Sequence, residues 1–232
     1  MTDATQALET AGVHFGYSRT RRHPSAAPFL FGTKERTDFF DLVQTALGLQ
    51  KAKEFAAALA ASGRQLLFVG GKEECAHAVK SAALAVGAPY VASRWIGGTL
   101  TNFKNIRKRI DRLEELVADT ESGALEAKYT KREQLMISRE IERLDFRFGG
   151  IVSLRDLPGA LFIIDPRHEE TAVREANQLK IPVIALASSD CDFSRVQFPI
   201  PGNDTAIKSV QHIIGEIAEA YASGKRAPVA VQ

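Results

Sequence analysis

Two glycine- or acid-rich loops carry the residue types that catalysis or ligand binding would need. In the first, Val69-Gly70-Gly71-Lys72-Glu73-Glu74, a glycine pair after an apolar run could offer backbone N–H groups to a phosphate at a helix N-terminus. The spacing matches neither G-x-G-x-x-G nor G-x-x-x-x-G-K-[ST]. Glu73 and Glu74 would also repel the anion while complementing the helix dipole, so a structural turn is the better reading. In the second, Asp165-Pro166-Arg167-His168-Glu169-Glu170, Asp165 and His168 could form an acid–base pair at the carboxyl end of a strand. No G-x-S-x-G and no nearby cysteine supplies a nucleophile, and acidic first-turn residues explain the segment as helix initiation. The five histidines, His14, His23, His77, His168 and His212, are scattered, with no H-E-x-x-H and no paired cysteines to hold a metal. Asp190, Asp192 and Asp204 could gather round a hard cation, but a solvated acidic loop needs no ion. No catalytic residue, metal ligand or cofactor is assigned.

The basic segments point to a different chemistry. Arg19-Thr20-Arg21-Arg22-His23-Pro24 lies in a non-helical stretch near Tyr17, Phe29 and Phe31. Guanidinium groups there can bridge phosphate oxygens in pairs, unless the stretch is only a solvated loop. Arg94-Trp95-Ile96-Gly97-Gly98-Thr99-Leu100-Thr101-Asn102 holds the only tryptophan, two glycines and three short polar side chains. Lys104, Arg107, Lys108, Arg109 and Arg112 follow at once. Together they could offer stacking, backbone and electrostatic contacts to folded RNA. Trp95 fits equally well as a core residue beneath a tight turn, so the lysines and arginines are the better candidates. Net charge is only +2, yet residues 1–112 hold 16 Lys and Arg against 9 Asp and Glu, and residues 113–232 hold 14 against 19. One basic half on a near-neutral chain suits a polyanionic partner.

The elements that must position these residues show in the apolar pattern. Leu42, Ala46, Leu49, Ala52, Ala56 and Leu59 keep one face of a helix apolar, with Asp41 as N-cap and Gly63 as stop. Leu66–Val69 is a continuous apolar run, followed by a helix over Glu73–Val86 and a strand near Tyr90–Ala92, a β-α-β unit with a buried parallel strand. The pattern recurs as a strand over Ala160–Asp165, a helix over Glu169–Leu179 and a strand over Ile181–Ala187. A short strand over Gln197–Ile200 then leads through Pro201-Gly202-Asn203-Asp204 into a closing helix that ends near Ser223-Gly224. This alternation implies a parallel sheet covered on both faces. Between the halves, Phe103, Ile106, Ile110, Leu113 and Val117, and then Gln134, Ile137, Ile141, Leu144 and Phe148, step by three and four. Two such charged helices predict an antiparallel coiled-coil hairpin.

The two cysteines, Cys75 and Cys191, are far apart, which fits a reducing cytosol rather than a disulfide framework. No apolar run approaches the roughly 18 residues of a membrane span, and the N-terminus does not read as a signal peptide. A cytoplasmic protein with no membrane association and no homo-oligomer is expected.

In these segments the chain resembles the bacterial-type small-subunit ribosomal protein S2 family. Besides Arg94–Asn102, the likeness rests on Gly12-Val13-His14-Phe15-Gly16, Gly149-Gly150-Ile151, Leu157-Pro158, Ala160-Leu161-Phe162-Ile163-Ile164-Asp165, Glu175-Ala176-Asn177, Ile181-Pro182-Val183 and Ile200-Pro201-Gly202-Asn203-Asp204. It departs from the family pattern at Arg22-His23-Pro24, where Trp-Asn-Pro is usual, and at Ser188-Ser189-Asp190, where Asp-Thr-Asn is usual. The resemblance implies a three-layer flavodoxin-like α/β domain carrying a helical hairpin and a non-enzymatic place between head and body of the small subunit. It further implies contact with small-subunit ribosomal RNA and with neighbouring proteins, protein S1 among them.

Five segments are expected along the chain: a basic arm with a first strand (1–40), an α/β half (41–102), the hairpin (103–148), a second α/β half (149–224) and a flexible tail (225–232). Its RNA-binding candidates are Arg19, Arg21, Arg22, His23, Arg94, Trp95, Thr99, Asn102, Lys104, Arg107, Lys108 and Arg109. The competing expectation is a cytosolic α/β enzyme that binds a nucleotide or sugar phosphate at Gly70-Gly71.

Overall fold

Apolar runs that need cover on both faces become the middle layer of the molecule. The computed structural model describes residues 3–123, 125 and 129–226. In chain order the elements are α1 (Asp3–Thr10), β1 (Phe15–Ser18), β2 (Leu30–Lys34), β3 (Thr37–Phe40), α2 (Leu42–Ala61), β4 (Leu66–Val69), α3 (Glu73–Ala85) and β5 (Tyr90–Val91). Then come α4 (Phe103–Glu121), α5 (Lys131–Phe148), β6 (Ala160–Ile164), α6 (Glu170–Gln178), β7 (Val183–Ala187), β8 (Phe198–Pro201) and α7 (Ile207–Arg226). The main sheet is parallel, in the order β5-β4-β6-β7-β8.

Successive strand side chains point to opposite faces, and the two halves of the core follow that period. Leu66, Phe68, Phe162, Ile164, Ile184 and Leu186 pack with α2, α3 and α7. Leu67, Val69, Leu161, Ile163, Val183 and Ala185 pack with α6 and with the sheet-proximal parts of α4 and α5. This is the expected three-layer α/β arrangement. Helix α7 does not stop at Gly224 but runs to Arg226. A Cβ at Gly224 would lie 2.2 Å from Ala57 O, so this glycine allows α7 to close on α2 and does not mark the helix end. Residues 227–232 of the expected tail lie outside the described residues.

Helices α4 and α5 fill the span between the two halves of the sheet. Ser93 Oγ, in the loop after β5, donates to Phe146 O (3.3 Å) in the last turn of α5, and Gln134 Nε2 in its first turn donates to Leu125 O (3.4 Å) beyond the end of α4. Ile106, Ile110, Leu113 and Leu116 are buried on α4, and Leu144 and Phe148 on α5. Leu116, outside the expected stripe, is buried more deeply than Val117, so the apolar face of α4 is wider than a narrow seam.

The first 40 residues hold more structure than an arm with one strand. They form α1 and an antiparallel three-stranded sheet in the order β1-β3-β2. The turn between β2 and β3 places Glu35 and Arg36 at φ 50° and 67°, the pair of left-handed residues of a tight hairpin.

Candidate nucleic-acid interface

One carboxylate gathers the Arg94–Asn102 loop. Glu175 on α6 is only 5% exposed. Its Oε1 accepts from Gly98 N (2.8 Å) and Trp95 Nε1 (3.2 Å), and its Oε2 from Leu100 N (3.0 Å), Thr101 N (3.1 Å) and Thr101 Oγ1 (3.2 Å). Gly98 sits at φ +90°, which a side chain would resist. Burial works against the Glu175 charge, but the N–H groups of Gly98, Thr101, Leu100 and the Trp95 indole hold its carboxyl below the ordinary carboxylate value. Trp95 is 6% exposed among the apolar residues beneath the sheet, and Thr99 is buried with its hydroxyl donating to Ile96 O (2.6 Å). Both serve as internal supports of the loop.

The loop hands over to α4 at exposed Asn102, whose Oδ1 accepts from Asn105 Nδ2 (2.9 Å). Ile106, Ile110 and Leu113 turn inward, so helical spacing puts Lys104 and Lys108 on the outer face with Arg109 at its flank. These three and Arg94 are exposed and form no ion pair among the described residues. Arg107 differs. It reaches Asp111 (2.7 Å) and Glu114, and donates to the carbonyls of Val152 (3.0 Å) and Leu154 (3.3 Å). It stitches α4 to the chain entering β6.

The arm separates in the same way. Arg22 donates from Nε to Asp38 Oδ2 (2.7 Å), pairs again through Nη2 with Oδ1, and donates to Thr33 Oγ1 (2.6 Å). Asp38 is fully buried, and hydrogen bonding from Arg22 outweighs desolvation to hold its carboxyl below the usual range. Arg22 is thus an internal clamp. His23 is a helix cap, its Nδ1 accepting from Ser25 N (3.3 Å). Arg19 and Arg21 stay exposed, with the Arg21 guanidinium 4.9 Å from the Tyr17 ring. The arm docks beyond β7: Tyr17 N donates to Ser189 Oγ (2.9 Å) and His23 N to Ser189 O (2.8 Å). Arg94 follows β5 instead, three strands away in the sheet, or roughly 14 Å at ordinary strand spacing. The two basic groups are separate.

Between them lies the crevice where a nucleotide-binding sheet would hold its ligand, and the chain fills it. Gly71 N donates to Glu169 Oε1 (3.0 Å), so the proposed phosphate donor already serves a carboxylate. Lys72 pairs with Asp165, at φ 56°, and with Asp204 (3.1 Å). Asp190 is held by Arg167 (2.7 Å) and Asp192 by Arg195 (3.2 Å). The acidic residues are therefore distributed over separate cations and do not converge on one ion.

Burial pushes the Asp204 carboxyl up to about 7, with Asp165 adding to the shift and Lys72 opposing it. Its Oδ1 has no hydrogen-bond partner among the described residues. A carboxyl that binds its proton more tightly folded than unfolded costs stability as pH rises from about 4 to about 7. Asp204→Asn, fixed neutral, should therefore gain on the parent across that window. Urea midpoints at pH 5 and pH 8 check this, and an unchanged difference between the two proteins would refute it.

Glu175 was not singled out for a structural role in the sequence. An acid in a short amphipathic helix gives no local sign that a loop 77 residues upstream will close over it. The distinction between free and internally paired arginines is equally absent from local sequence.

Comparisons with known proteins identify the family. The family model described as Ribosomal protein S2 matches residues 8–224. Three relatives carry the name "Small ribosomal subunit protein uS2". That of Rhodopirellula baltica is 42% identical over 93% of this chain and 82% of its own, and that of Pseudoalteromonas translucida 41% over 96% and 91%. That of Syntrophobacter fumaroxidans is 40% identical over 95% and 80%. The family is structural and not enzymatic, which sets aside the enzyme expectation already weakened by the filled crevice, and its members are cytoplasmic as parts of the ribosome. With nearly every described element inside the matched span, the chain belongs to the ribosomal protein S2 family.

Proposed function

We propose that the chain binds small-subunit ribosomal RNA between head and body of the subunit, holding it by shape and phosphate contact. The observation that carries this is the group of four exposed cations, Arg94, Lys104, Lys108 and Arg109, without an ion-pair partner among the described residues, on a loop and helix made rigid by Glu175 and Trp95. Folded RNA is recognised mainly through its backbone, and preplaced cations suit that task. Arg19 and Arg21 supply a second, smaller contact, and Asn102 a polar one beside the first. The two helices over 103–148 act as a coiled-coil hairpin that carries the charge outward.

Protein neighbours have a separate surface. Phe31 is 85% exposed and shares an apolar groove with Phe39, Leu42, Val43 and Leu47 between α1, β2 and α2. Contiguous exposed apolar surface of this kind suits a protein partner better than a polyanion. Neighbouring small-subunit proteins, S1 included, are the partners this reading expects there. The test is to sediment a lysate at moderate salt and quantify the chain by mass spectrometry. Stoichiometric travel with small subunits is expected, and a chain left at the top of the gradient would overturn the reading.

A further inference from the structure

We propose that the cleft between α3, the outer side of β5 and the last turn of α5 receives one unpaired nucleotide of RNA, its base against Phe146 and Tyr90 and its phosphate on Lys80 and Arg147. The inference rests on the RNA-binding reading above and extends it to a surface outside the candidates read from sequence. The cleft has a volume of about 520 Å3, enough for one nucleotide.

Its floor is fixed. A Cβ at Gly150 would lie 2.3 Å from Tyr90 O, so only glycine lets the chain leaving α5 press against the edge strand. The bond from Ser93 Oγ to Phe146 O (3.3 Å) pins the same helix end. Strand β5 is two residues long and stands at the edge of the sheet, paired only with β4. Among the described residues no strand covers its outer side, where Gly150 abuts Tyr90 O and leaves the side chains to line the cleft.

The walls match a nucleotide in chemistry. Phe146 is 73% exposed, whereas Leu144 and Phe148 on the same helix are buried. It takes no part in the packing of α5 and is free to act as a stacking surface. His77, Lys80 and Arg147 line the cleft, are exposed, and form no ion pair among the described residues. Asp145 is the acidic residue in the lining. Its oxygens accept hydrogen bonds and would receive the exocyclic amino group of a base while turning phosphate toward Lys80 and Arg147. An acidic or purely apolar peptide would leave these features unmatched.

The experiment binds the full chain to RNA extracted from small subunits, irradiates the complex with ultraviolet light and maps peptide–nucleotide crosslinks by mass spectrometry. Crosslinks on peptides containing Tyr90 or Phe146 are expected. Phe146→Ala, at an exposed position that should not disturb folding, should cut their yield about five- to hundredfold while crosslinks near Lys104 persist. Lys80→Glu with Arg147→Glu should do the same. RNA retained with the cleft silent, or crosslinks there unaffected by either variant, would overturn this inference alone. No RNA retained at all would overturn the binding reading with it.

Discussion

Glu175→Ala should destabilise the protein by roughly 3–5 kcal/mol and dismantle the Arg94–Asn102 loop. The substitution strips the acceptor from three backbone N–H groups and the Trp95 indole N–H at a buried site. Unsatisfied buried donors cost about 1–3 kcal/mol each, and relaxation with water entry recovers part of the sum. A domain of this size has a total stability of about 5–15 kcal/mol, so the loss is a large fraction of the whole. Trp95 is the only tryptophan, and its emission reports on the loop directly. A red shift together with a lower urea midpoint is expected. Glu175→Gln keeps the shape and one acceptor, and should fall between. An unchanged midpoint and unchanged emission in Glu175→Ala would show that the loop is held by other means. The folded carboxyl lies below its ordinary value, so its contribution is full at neutral pH and is lost as pH falls through the folded value.

The second large effect concerns RNA. Replacing Arg94, Lys104, Lys108 and Arg109 together by Ala should weaken binding to small-subunit RNA roughly a hundredfold at moderate salt. It should also reduce the slope of log affinity against log salt by about three to four, close to one for each phosphate no longer neutralised. The slope is the sharper reading, because a merely unfolded protein would not give a graded change. Arg22→Ala and Arg107→Ala serve as contrasts. Their guanidinium groups serve Asp38, and Asp111 with Glu114, so they should lower stability and leave the slope unchanged. Equal slopes for the fourfold variant and the parent would remove these cations from the interface.

The parts of the fold that could be read from sequence are those where burial and local spacing coincide. Leu66–Val69 and Ala160–Ile164 are buried at every residue, and a strand covered on both faces can only appear as an unbroken apolar run. The steps of three and four from Phe103 and from Gln134 likewise disclosed α4 and α5. The N-terminal sheet was hidden because its strands are four or five residues long and two contain glycine. Their stability comes from distant partners such as Arg22 with Asp38. At the site, the positive charge of Lys104, Lys108 and Arg109 was legible from their clustering alone. The engagement of Arg107 was not, since Val152 and Leu154 lie about 45 residues downstream.

The docking of Tyr17 on Ser189 joins residues 172 apart in the chain. During synthesis, the N-terminal sheet leaves the polymerising centre long before its landing place on the loop after β7 exists. It must therefore wait, folded or not, until most of the polypeptide has emerged. Throughout that interval Arg19 and Arg21 are untethered to the rest of the domain, and their final orientation is set only late in translation.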